Sequence, residues 1–323
     1  ITFLCEILIK KRLDFLNDWS FYLLLFLWAS FIINLFFSQD KSLSFFRTIG
    51  FIRFIFLAQA IRYVFLLNDN NYKIFILRVW AIIFIIVSFD LLLEYFNGKN
   101  ILGYKSNLEG RLASFLGEEL KIGGYYFGFA LIFLATINGF LKKDYKIIFL
   151  LSIIILNVSF LIGERSNFIK VLISIFIILI IFLKEHKIKI FSLILICILT
   201  FVIIINKNND LKYRYLSQWS NKNISENIYF THYETAILVF KKYPIFGSGI
   251  KNFRIEIREI INKDFKENEK YNNWQVVTTH PHQLNFEILA ETGIFGYSCF
   301  LLFFFISFFK SFRKIFKKND LLF

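Results

Sequence analysis

The sequence predicts an all-α polytopic membrane protein: about eight complete transmembrane helices plus a partial one, with a helical periplasmic insert between the last two complete spans. Three observations carry this. Of 323 residues, 57% are hydrophobic and only 19% charged, with 45 Phe against 2 Pro, too apolar for a soluble chain of this size. The apolar residues fall in blocks of roughly 15–23, near the ~20 that cross a ~30 Å hydrocarbon layer as helix. The 38 Lys+Arg against 24 Asp+Glu give a formal charge of +14, but they sit in short loops between the blocks, which reads as membrane topology and excludes a nucleic-acid partner.

Taken in order, Ile1–Ile9 reads as a partial helix, and complete spans are expected near 19–37, 48–67, 73–93, 123–141, 147–161, 168–183, 190–205 and 288–309. Alternating the loops assigns Lys10-Lys11-Arg12, Lys73, Lys142-Lys143-Lys146, Lys184/Lys187/Lys189 and Lys310/Arg313/Lys314/Lys317/Lys318 to one side, and that basic excess marks the cytoplasm. Lys41 and Arg47 fall in one opposite loop and Arg165 in another. The chain contains no Met and its ends are apolar, so it reads as a fragment with cut terminal helices, and no signal peptide is assigned. Cys5, Cys197 and Cys299 lie scattered in apolar blocks, which suits neither a disulfide framework nor a metal site.

The predicted organisation is residues 1–205 as transmembrane helices with an outer loop at 95–122, residues 206–287 as a periplasmic helical loop domain, and residues 288–323 as a last span with a basic cytoplasmic tail. Function is expected on the two long outer segments. Within the second, an amphipathic helix is expected near 227–242, a turn over Tyr243–Gly249 and a charged helix near 251–269.

An ionisable side chain near the bilayer centre costs about 2.5–3.5 kcal/mol on insertion scales, so each needs a route to water or a polar cavity. Arg62 and Arg78 sit near predicted cytoplasmic ends, where snorkelling suffices. Arg53, Asp90, Glu94, Lys170, Glu287 and Glu291 fall instead in the outer thirds of their spans, which suggests a polar cavity opening outward. Arg165 rides on the short turn Gly163-Glu-Arg-Ser-Asn167, and Arg111 lies just before the span at 123–141. A guanidinium fork suits a phosphate or diphosphate, because its planar donors match two oxygens at once; a lipid-headgroup anchor is the competing reading of Arg165.

The most specific segment is Thr279-His-Pro-His-Gln-Leu-Asn-Phe-Glu-Ile-Leu-Ala-Glu-Thr-Gly-Ile-Phe-Gly296, which places His282 at an expected helix start with Pro281 in its first turn. A histidine there suits proton transfer near neutral pH. His282-Gln283, nine residues, then Gly293-Ile-Phe-Gly296 resembles the His-[Asn/Ser/Gln]-x9-Gly-x-x-Gly signature of the bacterial O-antigen ligase and O-antigen polymerase superfamily. Pro244-Ile-Phe-Gly-Ser-Gly-Ile-Lys-Asn-Phe253 looks like that family's Pro-x-x-Gly-x-Gly-x-x-x-Phe segment, and Gly163-Glu164-Arg165-Ser166 and Gly110-Arg111 resemble its arginine-bearing segments. The resemblance covers about residues 105–300, though family members usually have more spans, about a dozen.

The resemblance implies a lipopolysaccharide-type, inverting glycosyltransferase that takes a glycan from an undecaprenyl-diphosphate carrier on the periplasmic side, with no metal, nucleotide sugar or other cofactor. In that reading His282 removes the proton from the acceptor sugar hydroxyl, Arg165 and Arg111 hold the diphosphate, and Lys170 reaches it from the next span. Glu287 and Glu291, four apart on one helical face, orient the base or bind sugar hydroxyls, or else pair with Lys170 or Arg53; His280 reads as a bystander. Trp219, Tyr229, Tyr233 and Trp274 offer faces for sugar rings. The acceptor is a lipid A-core or another glycan, so ligase, polymerase and protein-glycan ligase all fit. A lipid-linked oligosaccharide flippase or transporter is the rival class, and 2 Pro in the whole chain speaks against its broken helices.

Overall fold

The computed structural model describes residues 18–67, 70–119, 121–140, 145–182, 187–217, 228–264 and 278–317, which are helices and connecting turns with no strand among them. The expected partial helix at 1–9, the basic groups Lys10-Lys11-Arg12, Lys142-Lys143, Lys184 and Lys318, and Trp219 and Trp274 lie outside these residues. The described residues form two compact units. One is built from 18–67 with 228–317, the other from 70–217.

In the first unit, α1 (Trp19–Phe37) starts where Asp18 accepts the Ser20 N–H at 3.0 Å, and α2 (Lys41–Gly50) starts where Asp40 accepts the Leu43 N–H at 2.9 Å. Both are ordinary N-caps, a short acceptor side chain taking an orphan first-turn donor. α3 (Ile52–Leu67) follows almost without interruption, because Phe51 keeps helical dihedrals. Lys41 and Arg47, expected in a loop, therefore lie on a helix. α10 (Ile228–Lys242), α11 (Phe253–Asp264) and α12 (Leu284–Lys317) complete this unit. Ala236, Val239, Phe253, Ile257 and Ala290 form their small core, drawn from one stripe of each helix.

The second unit contains α4 (Asn70–Asn97), α5 (Ile122–Phe140), α6 (Tyr145–Leu161), α7 (Arg165–Phe182) and α8 (Lys187–Lys207), then the short α9 (Asn209–Lys212) and a π turn at Tyr213–Ser217. Val171, Ile175 and Leu179 make a fully buried stripe four residues apart along α7, and Phe84 of α4 lies 4.7 Å from Tyr126 and 4.8 Å from Phe133 of α5, ring centre to ring centre. Such packing, more than any gain from leaving water, holds helices together in lipid. Polar residues inside the helices bond back to their own backbone, as Thr136 does to Ile132, Ser152 to Ile148 and Asn157 to Ile153, since hydrocarbon offers no other partner.

Among the described residues five helices are long and apolar enough to cross a membrane: Trp19–Phe37, Lys41–Phe65, Asn71–Asn97, Ile122–Phe140 and Leu284–Arg313. Phe191–Lys207 with Asn209–Leu216, bent by 113°, makes a sixth if the pair is one broken span. Helices occupy the other two expected positions as well, but α6 and α7 have 17 and 18 residues, at the short limit for a ~30 Å crossing. α7 begins at Arg165, three residues earlier than expected, so only Ile162–Glu164 separate α6 from α7.

Candidate active site

Two clusters of polar chemistry stand out, one in each unit. The cluster in the second unit is built around the α6–α7 turn. The loop leaving α4 is drawn back over that helix by its buried acids. Glu94 accepts the N–H of Ala113 (3.0 Å) and Ser114 (2.7 Å), and Asp90 accepts the Ile101 N–H and the Ser114 hydroxyl. Ser114 holds a left-handed φ of 47° in consequence. So Asp90 and Glu94, expected to face a cavity, fasten this loop, and Glu94 also lines a cavity beside it. The Leu112 N–H then bonds the Ile162 carbonyl at 3.2 Å, and Arg111 arrives against Glu164, with which it forms an ion pair. Glu164 also accepts from Asn167.

A third guanidinium joins them. Arg214, on the π turn, donates through Nε to the Gly163 carbonyl, and its ring neighbour Tyr215 donates to the Phe160 carbonyl at 3.0 Å. Arg111, Arg165 and Glu164 all act on Arg214 electrostatically. Arg165, the first residue of α7, is half-buried and has no hydrogen-bond or ion-pair partner among the described residues. Three guanidiniums thus gather around one carboxylate, an excess of positive charge that an anion would neutralise. Lys170 lies one turn along α7, exposed, with Nζ 3.4 Å from Asn167 and 5.8 Å from the Phe127 ring centre. Arg111, Arg165 and Lys170 all lie in the second unit; the sequence carried no signal for Arg214 beyond its position in the polar stretch after α8.

The cluster in the first unit is built around His282. α12 begins at Leu284, not at the Pro281-His282 step: Gln283 caps it, its side chain accepting the Phe286 N–H at 2.8 Å and its carbonyl the Glu287 N–H at 3.0 Å. Pro281 therefore precedes the first turn, and His282 sits outside the helix at a left-handed φ of 56°. The His282 ring stacks on His232 of α10 at 5.2 Å, lies 4.3 Å from His280, and meets Tyr229 edge-on at 5.7 Å. His280 is thus a neighbour of His282. His232, buried on the same stripe of α10 as Ala236 and Val239, was legible only as a polar residue on an apolar face. Burial, then the charges of His280 and His232, push the His282 imidazole below its ordinary value, with Glu287 acting the other way.

Behind this ring cluster the Pro244–Gly249 turn and α12 share backbone bonds. α12 is interrupted at Gly293 (φ 64°), which frees groups on both sides of the break. Ser248 and Gly249 donate to the carbonyls of Ala290 (3.0 Å) and Glu291 (2.8 Å), while Ile294 and Phe295 donate to those of Pro244 (2.9 Å) and Ile245 (3.1 Å). Within its own unit Glu287 pairs with Lys251 at 3.0 Å. Glu291 is 4% exposed, its side chain lies beside the Lys251–Phe253 backbone, where Lys251 holds a left-handed φ of 67°, and its Oε1 is buried with no hydrogen-bond partner among the described residues. Tyr233 is covered by Phe286, stacked at 5.0 Å. Among the described residues no group of three or more His, Cys, Asp or Glu is arranged to hold a metal ion.

These helices define a multi-pass membrane protein. Residues 147–301 match the family model described as O-Antigen ligase. That stretch contains Arg165, Arg214, the Pro244–Phe253 segment and the His282–Gly296 segment, and the match supports membership of the O-antigen ligase/polymerase superfamily. Neither the comparison with curated proteins nor that with solved structures returns a match.

Proposed function

We propose that this protein is a glycosyltransferase that moves an oligosaccharide or polysaccharide from an undecaprenyl-diphosphate carrier to an acceptor sugar hydroxyl, at the periplasmic face of the bacterial inner membrane. The observation that carries the reading is the gathering of Arg111, Arg165 and Arg214 beside the carboxylate of Glu164. Diphosphate is the leaving group, and its charge grows as the glycosidic bond breaks. Preorganised guanidiniums stabilise that charge without reorganising at the moment of reaction. Arg165 supplies a fork with no partner among the described residues, Arg111 and Arg214 lie near it, and Lys170 adds a cation one turn away.

His282 is the general base of the proposal. It takes the proton from the acceptor hydroxyl as that oxygen attacks the anomeric carbon, and the diphosphate leaves with the bonding pair, which inverts the centre. Burial and two neighbouring imidazoles favour its neutral, proton-accepting form. Glu287 opposes that effect and stabilises the imidazolium that results, while Glu291 works through the Lys251 turn as a positioning group. Residues 206–287 are the outer domain of this reading and supply both α10 and the Pro244–Phe253 turn.

The test is transfer in vesicles containing the full chain, an undecaprenyl-diphosphate oligosaccharide and a lipid A-core acceptor. Wild type is expected to release undecaprenyl diphosphate and glycosylate the acceptor. Product that grows only when the lipid A-core is replaced by a second lipid-linked glycan assigns the polymerase reaction, and unchanged transfer by His282→Ala removes the general-base role.

A further inference from the structure

A cavity of about 400 Å³ opens beside Arg111, within the ~300–1,000 Å³ usual for small-molecule sites. Three segments of the second unit wall it: the end of α4 with Glu94 and Tyr95, the loop Lys105–Leu112, and Asn208–Leu211 around α9. Its chemistry differs from that of the guanidinium cluster. Glu94, Glu109 and Asp210 bring three carboxylates against Lys105 and Arg111, and Arg111 is already paired with Glu164. A phosphate inside the cavity would meet more negative than positive charge. An apolar chain would leave the carboxylates, amides and lysine without partners. A neutral polyhydroxylated ring suits the wall, because each hydroxyl both donates and accepts: carboxylates and amide oxygens take its protons, Lys105 and the amide NH₂ groups of Asn107 and Asn208 supply theirs, and Tyr95 offers an aromatic ring.

The Glu94 carboxylate is committed to the Ala113 and Ser114 N–H groups and makes a fixed floor. Glu109, Asp210 and Lys105 are exposed at the rim, available to a ligand. Arg111 belongs to both the cavity and the guanidinium cluster. A ligand whose anionic end rests among the arginines therefore has its next group at the cavity mouth.

We infer that this cavity is a subsite for the sugar ring joined directly to the diphosphate, with Glu109 and Asp210 reading its hydroxyls. The inference rests on the proposed anion site but assigns a different part of the ligand to different residues. It makes the 105–112 loop and the α8–α9 corner a specificity determinant for the donor's first sugar.

Calorimetric titration of the full chain in detergent tests it, using inorganic phosphate, glucose 1-phosphate, N-acetylglucosamine 1-phosphate and the corresponding methyl glycosides as probes. At least one sugar 1-phosphate is expected to bind roughly tenfold tighter than inorganic phosphate, the scale of one or two hydrogen bonds. Glu109→Gln with Asp210→Asn should erase that advantage while phosphate binding is kept or tightened, since two negative charges beside Arg111 are removed. Glu109→Gln alone, on an exposed loop, carries the test if the double variant does not fold. No sugar-dependent tightening in wild type, or its survival in these variants, overturns the subsite. Failure of inorganic phosphate to bind, with methyl glycoside binding still lost in the cavity variants, would overturn the anion site and leave the subsite standing.

Discussion

Gly247 and Gly293 stand backbone against backbone. A Cβ on Gly247 would run into the Glu291 carbonyl, and one on Gly293 would run into the Ile245 carbonyl and the Gly247 N–H. Both have left-handed φ, 72° and 64°. The two glycine motifs of the sequence are therefore one clasp, which holds the turn after α10 to the break in α12 through four backbone hydrogen bonds.

Alanine at either glycine meets backbone on contact and a strained φ besides, about 1–3 kcal/mol for the latter alone. Gly247→Ala and Gly293→Ala should each lower the thermal midpoint of the purified protein and abolish transfer, whereas Gly124→Ala, with open space at its Cβ, should do neither. Equal midpoints for all three would dismiss the clasp.

Arg165→Lys keeps the charge and loses the fork, and Arg214→Gln keeps the size and loses the charge. Each should cut turnover by roughly 10²–10³, as removing one preorganised donor to a developing anion does elsewhere. Steady-state rates at saturating donor would report this. A normal rate in Arg165→Lys would demote that residue to a headgroup anchor.

For His282→Ala the expected loss is about 10²–10⁴ in turnover, with expression and membrane insertion unchanged, since the side chain caps no helix. The pH profile gives an independent check. A base must be neutral to act, and the His282 imidazole is pushed below the ordinary ~6.5, so wild-type activity should hold down to a pH below that value and fall only under it.

His232 is one cause of that lowering, so removing it should raise the His282 value and move the acidic limb of kcat/KM upward. His232→Phe keeps the ring packing and removes the charge; His232→Ala also opens the site to water, which raises the value further. The expected result is an upward displacement of that limb in both variants. Profiles that superimpose on wild type would show that His232 merely packs.

Glu94→Gln weakens the charge-assisted bonds to Ala113 and Ser114, a loss of about 1.5–3 kcal/mol at this buried site. Amide exchange at Ala113 and Ser114 should accelerate, and Arg111 should lose its setting with a corresponding drop in rate. Protection identical to wild type would mean that other contacts hold the loop.

Much of this protein was legible because membrane helices are specified by composition over long windows. The apolar blocks, the amphipathic stretch at 228–242, the turn carrying Arg165 and the His282 segment all follow from residues close together in sequence. The partners were not legible. Lys251 for Glu287, Arg214 beside Arg165, His232 against His282, and Asp90 and Glu94 as fasteners of the 98–114 loop each join residues far apart in the chain. Nothing in a local pattern encodes them.

By itself, the sequence determined an all-helical, membrane-crossing chain with a stretch similar to O-antigen ligases, because hydrophobic length and a few spaced motifs are properties of contiguous residues. Tertiary structure alone decided which buried charge meets which, that Pro281 and His282 stay outside α12, and that a helix breaks at Gly293 to receive a distant turn. Those outcomes depend on satisfying every backbone and charged group away from water, and that is settled only when separate segments pack.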